Sequence, residues 1–356
     1  MTSTDLFFLG FSLFIATVSF IGLLRIDYWW IRMWDFPHFQ LMVLASSALI
    51  VWLIVSHNFS WPQLVAPVLL VTALFYQAWL MYPYTYFHRV QVPQHKKADK
   101  STENTIRLLI ANVFMENTHC PDVCMLVKKH KPDVLLVLEG NETWRKALTE
   151  IDDDYPHQKL IPLENTYGML FYSRFTTRQT RVHYRIQEGI PSITTQLQLP
   201  SGQWVNFYGV HPMPPSPTEN IRSTERDAEL LLVGRDAHQQ KGPVIVAGDL
   251  NDVAWSHTTR LFSRISGLLD PRIGRGLFST FHAHYFFLRW PLDHVFVSHH
   301  FALNGIKRLP NCGSDHFPIL VSLTYTPDPD RADDIPQPEE EDIEEMHEKL
   351  ADTTSD

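Results

Sequence analysis

The sequence predicts an α/β domain with a large two-sheet core, carried behind three membrane-spanning helices. Three observations predict it. Long apolar runs without a single charge fill the first quarter of the 356-residue chain. Beyond them short apolar segments recur, most bounded by Gly, Pro, Asn or Asp, as strands are. Helical stretches lie between some of these segments, and strands mixed with helices at this length suit one α/β domain.

The apolar runs are Leu6–Leu24, Phe39–Val55 and Leu64–Met81. As helices each is long enough for a hydrocarbon core of about 30 Å, and none shows the polar stripe of a soluble amphipathic helix. The first run lacks the basic start of a cleavable signal and is followed closely by two similar runs, which favours three retained helices. Arg25 and Arg32 lie between the first two runs, and Arg89, Lys96, Lys97 and Lys100 follow the third. Met1–Asp5 and the loop His57–Pro62 carry no Lys or Arg. The positive-inside rule then places the first loop, and everything after the third helix, in the cytoplasm. Trp29, Trp30, Trp34, Trp61, Trp79, Tyr82 and Tyr84 cluster near the run ends, as interfacial aromatics do.

The organisation expected is a membrane domain over 1–85, a polar juxtamembrane linker over 86–104, an α/β domain over 105–326 and an acidic tail over 327–356. Expected strands are Ile106–Ala111, Val134–Leu138, Gly168–Tyr172, Ile193–Leu199, Trp204–Val210, Val244–Ala247, His294–Val297 and Ile319–Tyr325. Cys120–His130 and Thr218–Gln240 read as helices. The formal charge of -9 belongs to the tail, while residues 101–326 carry equal numbers of acidic and basic side chains. The central domain therefore has no general basic footprint for nucleic acid. The tail, rich in Asp, Glu and Pro, is expected to be disordered, with at most a transient helix near Ile343–Leu350. Cys120, Cys124 and Cys312 cannot make a disulfide framework and read as ordinary thiols.

A polar residue sits at one end of strand after strand. Asn112 closes the first, Glu139 the second and His211 the strand ending at Val210. Asp249 and Asn251 close Val244–Ala247, Asp293 opens its strand, and Asp315-His316 precedes the last one. Taken singly each is an ordinary turn former or cap. Together their chemistry is complementary. Glu139 and Asp315 offer anionic oxygens and Asn112 a neutral one, a set suited to Mg²⁺ or Mn²⁺ rather than Zn²⁺. His316 has the chemistry of a base toward water, and Asp249 with Asn251 that of a water-binding pair. His211 and Asn251 can donate to non-bridging oxygens as negative charge builds on phosphorus. Such a set describes metal-assisted hydrolysis of a phosphate ester.

The order of these segments resembles the endonuclease/exonuclease/phosphatase superfamily, which includes deoxyribonuclease I, abasic-site endonucleases, inositol polyphosphate 5-phosphatases and neutral sphingomyelinases. The resemblance rests on Arg107-Leu108-Leu109-Ile110-Ala111-Asn112, Leu138-Glu139, the stretch Tyr167 to Arg174, Gly248-Asp249-Leu250-Asn251, Leu292-Asp293-His294-Val295 and Gly313-Ser314-Asp315-His316-Phe317-Pro318-Ile319. It covers about residues 104–326. It implies a four-layer α/β/β/α sandwich, deoxyribonuclease I-like, with the site at one rim. By motif, Asn112, Glu139 and Asp315 look like the metal neighbourhood, and His211 and Asn251 like phosphate-stabilising groups. Asp249 looks like an orienting carboxylate, and Asp293 with His316 like the pair that activates water. The resemblance leaves open whether Asp249 or His316 takes the proton.

Two positions depart from the abasic-site endonucleases: Phe114 stands where they carry an acidic residue, and His211 where they carry Tyr. A repair role is thereby disfavoured. The anchor is similar to that of bacterial membrane-bound members, which implies an inner-membrane protein with its catalytic domain facing the cytoplasm. The expected function is a membrane-tethered, Mg²⁺- or Mn²⁺-dependent phosphodiesterase or phosphatase. Its expected partners are the membrane and a phosphate-ester substrate, either nucleic acid or a phospholipid or inositol phosphate. The alternative is a catalytically inactive binding or signalling module on the same scaffold.

Overall fold

The computed structural model describes residues 2–56, 61–95, 102–327 and 335–353. Residues 57–60 of the second loop, the linker cations Lys96, Lys97 and Lys100, and residues 328–334 and 354–356 of the tail lie outside the described residues.

The amino-terminal region is helical. Helix α1 (Ser3–Phe20) starts from a capping box, in which Asp5 N–H donates to the Thr2 hydroxyl and Thr2 N–H donates to Asp5. A short turn, α2 (Trp29–Arg32), then precedes α3 (His38–Val55) and α4 (Trp61–Met81). Three helices, over Ser3–Leu24, His38–Val55 and Gln63–Tyr84, are long and apolar enough to cross a membrane. Their packing is inside-out relative to a soluble bundle. Ile54, Phe7 and Phe75 are largely exposed, while Ser12, Ser19 and Gln77 are buried. Gln77 Nε2 donates to Ser19 Oγ at 2.8 Å between helices. Polar groups that pair inward and apolar side chains that face outward are what a lipid solvent selects.

The α/β domain follows, with strands β1 (Thr105–Asn112), β2 (Val134–Leu138), β3 (His157–Ile161), β4 (Met169–Ser173), β5 (Thr177–His183), β6 (Ser192–Gln198), β7 (Trp204–Val210), β8 (Val244–Asp249), β9 (Asp293–Val297), β10 (Phe301–Arg308) and β11 (Ile319–Tyr325). One sheet has the order β10-β11-β1-β2-β4-β3 and the other β5-β6-β7-β8-β9. Alternation along β1 explains the layering. Leu108 and Ile110 point into the core between the sheets, where they meet Phe207, Ile245 and Val295 of the second sheet. Leu109 and Ala111 point outward, onto Val123 and Val127 of α5 (Cys120–His130) and Trp144 of α6 (Glu142–Ala147). On the far side Val244, Val246 and Phe296 pack against Leu230, Val233 and Phe262 of α7 (Thr224–His238) and α8 (His257–Ser266). Those are the four layers that the resemblance implied.

Two expectations need correction. The helix expected over Thr218–Gln240 starts only at Thr224. The residues before it pair instead with the loop after α1, where Trp29 N–H donates to Ile221 O and Ser223 N–H to Asp27 O, both within hydrogen-bond range. The tail is the second. Residues Glu340–Asp352 form a docked helix, α9, and not the disordered segment that composition suggested. Met346 is buried with Leu231, Leu261 and Ile265, flanked by Ile343 and Leu350. Arg264 holds Asp342 through two bonds of 2.7 Å, and His257 meets Glu345 at 2.8 Å. Lys349 bridges Asp227 and Asp27. Acidic composition opposes folding when the charges are unpaired, whereas here the domain supplies the cations.

The apolar helical region is tied directly to the domain. Trp255 Nε1 donates to Asp35 O at 2.6 Å, Tyr84 Oη to Ala254 O at 2.7 Å, and Thr224 Oγ1 to Asp27 at 2.9 Å. The loop before α3 and the exit from α4 therefore lie on the same side as the α/β domain.

Candidate active site

Strand direction collects the polar residues at one rim. Pairs β1/β2 and β7/β8 are parallel, so Asn112, Glu139, His211 and Asp249 all leave carboxyl-terminal strand ends. Strands β9 and β11 run antiparallel to β8 and β1, which brings their starts, Asp293 and the turn holding Asp315 and His316, to the same edge. Asp249 and Asp293 are direct register partners. Gly248 is required beside them: a Cβ there would lie 1.9 Å from the Val210 carbonyl oxygen, so only glycine lets β7 and β8 approach at the rim.

The side chains form one connected set. Asn112 Nδ2 donates to Glu139 Oε1 at 2.8 Å and to Asp249 Oδ2 at 3.1 Å. His316 Nδ1 meets Asp293 Oδ2 at 2.8 Å, and its Nε2 lies 3.5 Å from Asp249 Oδ2. Asp249, Asp293 and His316 place ligand atoms within 4.8 Å of one another. Asn251 donates from its backbone N–H to Asp249 Oδ1 at 2.9 Å and from Nδ2 to Pro212 O at 2.9 Å. Glu139 and Asn251 hold left-handed backbone, φ 60° and 51°, a conformation that costs a non-glycine residue roughly 1–3 kcal/mol and is kept only where its surroundings enforce it. Asp315 is half-buried, accepts from Ser314 Oγ at 3.3 Å, and acts through its charge on both Glu139 and His316.

The electrostatics follow from burial. Desolvation raises Glu139, partly offset by the Asn112 hydrogen bond, and raises Asp249 to about 7 despite the opposing His316 charge. Burial opposes the His316 cation, but the carboxylates of Asp293 and Asp249 outweigh it and push His316 up to about 10. Burial lowers His211 to about 4, with His316 adding to the effect, so its imidazole is neutral. Among the described residues, His211 Nδ1 and Asp293 Oδ1 have no hydrogen-bond partner, and both are buried. Four carboxylates, Glu139, Asp249, Asp293 and Asp315, thus face one imidazolium. This excess of hard anionic oxygen fits a divalent cation.

Every residue singled out by strand-end position therefore reaches this rim. Others were not legible. Arg226 is buried on α7, and its Nη1 donates to Asn251 O at 2.8 Å while its Nη2 lies 3.3 Å from Asp252. Arg272 pairs with Asp270 at 2.8 Å and donates to His294 Nδ1 at 2.6 Å, which leaves Nε2–H of that imidazole for Asp252 O. Tyr167 packs 5.4 Å from the His211 ring, its hydroxyl on Glu219. Phe281 lies 5.0 Å from the His316 ring. A charged residue on a helix and an aromatic in a loop carry no local signal of these contacts.

A profile of the Endonuclease/Exonuclease/phosphatase family matches residues 110–316. A Vibrio campbellii protein described as "UPF0294 protein" is 28% identical over 133 residues, 37% of this chain and 44% of that one. The match thus spans less than half the length of that relative. Among solved structures, a zebrafish (D. rerio) TDP2 complexed with single-strand DNA product is similar with a TM-score of 0.52 at 15% identity, over 62% of this chain and 99% of that one. Endonuclease/exonuclease/phosphatase proteins of Bacteroides thetaiotaomicron and Beutenbergia cavernae each give a TM-score of 0.51, at 17% and 16% identity, over 63% of this chain and 98% and 72% of theirs. At these identities the structures establish the sandwich fold.

Proposed function

The chain belongs to the Endonuclease/Exonuclease/phosphatase family, a family of phosphate-ester hydrolases, and on that premise we propose that it is a membrane-anchored, metal-dependent phosphodiesterase or phosphatase. One observation carries the reading: Glu139, Asn112, Asp249, His316 and Asp293 are linked in an unbroken series of polar contacts at the rim of the sandwich.

In this reading Glu139, Asn112 and Asp315 hold Mg²⁺ or Mn²⁺. When bound, that ion supplies positive charge to a phosphoryl oxygen. Both ring nitrogens of His316 face carboxylates, Nδ1 at 2.8 Å from Asp293 and Nε2 at 3.5 Å from Asp249, so in this reading it stays outside the ion's ligand set. Asp249, with His316 Nε2 at 3.5 Å, takes the proton of the attacking water in this reading, while Asp293 orients the His316 ring through its 2.8 Å contact with Nδ1. Neutral His211 and the second N–H of Asn251 donate to non-bridging oxygens as charge accumulates. No observation favours an inactive scaffold. The contact between the first loop and the domain supports a shared compartment, and the flanking cations support the cytoplasmic face of a bacterial inner membrane.

The test uses the full chain in detergent with Mg²⁺ and bis(p-nitrophenyl) phosphate. Glu139→Gln and His316→Ala are expected to lose at least about a hundredfold in turnover, the scale of one electrostatic or acid–base group, with melting curves still cooperative. Unchanged turnover in both variants would remove the assignment.

A further inference from the structure

Loop 282–289 is anchored at one end on the candidate site and at its tip on a membrane helix. At its base, Phe281 pairs with His316 in an isolated bridge, and Ala283 N–H donates to Asp315 O at 2.6 Å. At the tip, Tyr285, Phe286 and Phe287 are 50%, 80% and 55% exposed, an unusual cluster for a surface in water. Gln40 Nε2, in the first turn of α3, donates to Phe287 O at 2.8 Å. Trp290, just past the loop, packs edge-on at 5.6 Å against Phe36, which leads into α3.

The length of α3 fixes the depth of that contact. Its 18 residues rise about 27 Å, hardly the thickness of a hydrocarbon core near 30 Å, so its first turn lies at the boundary between acyl chains and headgroups. Phe286 and Phe287 are therefore held at that boundary, where aromatic rings are favoured. Tyr86 and Phe87, just past the third span, are 84% and 89% exposed and suit the same layer. From Ala283 to Phe286 is three residues, at most about 11 Å of chain. The headgroup layer itself is roughly 5–7 Å deep on each side. The base of the loop, and with it Asp315 and His316, is consequently within reach of lipid phosphates. Arg289 and Arg308 flank Phe317 beside the same base, at 5.1 and 4.4 Å from its ring, adding positive charge on the approach.

The geometry points to a membrane phospholipid as the substrate, with Tyr285, Phe286 and Phe287 seated in the bilayer interface so that a headgroup phosphodiester enters the site from the membrane. This rests on the hydrolytic reading above. The reaction adds one water across one P–O ester bond. The water oxygen bonds phosphorus, its proton passes to Asp249, and the released alkoxide takes a proton from solvent, giving a phosphomonoester and an alcohol with no change of oxidation state.

The experiment reconstitutes the full chain into phosphatidylethanolamine and phosphatidylglycerol vesicles with Mg²⁺, and compares wild type with the double variant Phe286→Asp, Phe287→Asp. Phospholipid hydrolysis is expected to fall at least about tenfold in the variant, because charge is expelled from the interface, while bis(p-nitrophenyl) phosphate turnover stays within about twofold. A second measurement needs no activity: a bimane at Phe286→Cys should be quenched by doxyl lipids labelled near the headgroup, the native cysteines being buried. Equal phospholipid hydrolysis by variant and wild type, no quenching, or a wild type that cleaves the soluble diester and neither lipid would each overturn the inference. A wild type that cleaves neither substrate, with the bimane quenched, would instead remove the hydrolytic reading while leaving the loop's placement in the membrane.

Discussion

The amide nitrogen of Asn112 stands between two carboxylates, half-buried Glu139 and buried Asp249, and donates to both. Replacing it by Asp would set three anions together, so Asn112→Asp is expected to abolish hydrolysis and lower stability by about 1–3 kcal/mol, the cost of losing buried satisfied bonds. Circular-dichroism melts and diester turnover check the two halves separately. A second residue gives a pH prediction away from the site. Glu229 is buried on α7, its Oε1 has no partner among the described residues, and desolvation pushes it up to about 7. A carboxyl raised on folding binds its proton more tightly in the native state, so stability falls as pH rises from its unfolded value through 7. Glu229→Gln should remove that loss, gaining up to about 3 kcal/mol at pH 8 and almost nothing at pH 4. Parallel wild-type and variant unfolding curves across that range would refute it. At this scale the sequence was informative where chemistry sat at strand ends, as with Asp249 and His316. Arg226 and Asp252 were hidden because burial of a charge depends on neighbours from distant segments.

Element by element, the expected strands were those buried in the sheet interiors, and also β9. The three not anticipated, β3, β5 and β10, are all sheet edges. Their outward positions face water, so β5 runs through Arg178, Gln179 and Arg181 with little apolar alternation to read. Helix α9 was misjudged for a related reason: its stripe of Ile343, Met346 and Leu350 is short, and its pairing cations lie on other elements. Met346→Ala should therefore destabilise the protein by about 2 kcal/mol, as truncation of a buried methionine does, although the composition alone assigns this helix no packing role. An unchanged melting temperature would return the tail to a dispensable appendage. Gly248→Ala belongs here as well. With its Cβ against the Val210 carbonyl, β7 and β8 must separate at the rim, and activity should be lost before the fold.

For the whole molecule, the apolar helices and the sandwich share a polar seam. Asp27, from the first loop, contacts Thr224 and Lys349, while Lys349 also reaches Asp227, the partner of Arg226. Arg226 in turn supports the backbone of Asn251. The apolar helical region is thus continuous with the scaffold behind the site, and the sandwich is fixed against it instead of swinging on a free tether. A reporter active on one side only, fused after residue 100, should signal from the cytoplasm, whereas a signal from the opposite face would invert the orientation.

A rim whose oxygens recruit a divalent ion to cleave a phosphate ester loses its activity with that ion. The most direct measurement is metal add-back to the full chain after chelation, read by bis(p-nitrophenyl) phosphate turnover. Mg²⁺ or Mn²⁺ is expected to restore the wild type and to fail with Glu139→Gln. Equal turnover before and after chelation, or equal rescue of the variant, would contradict it.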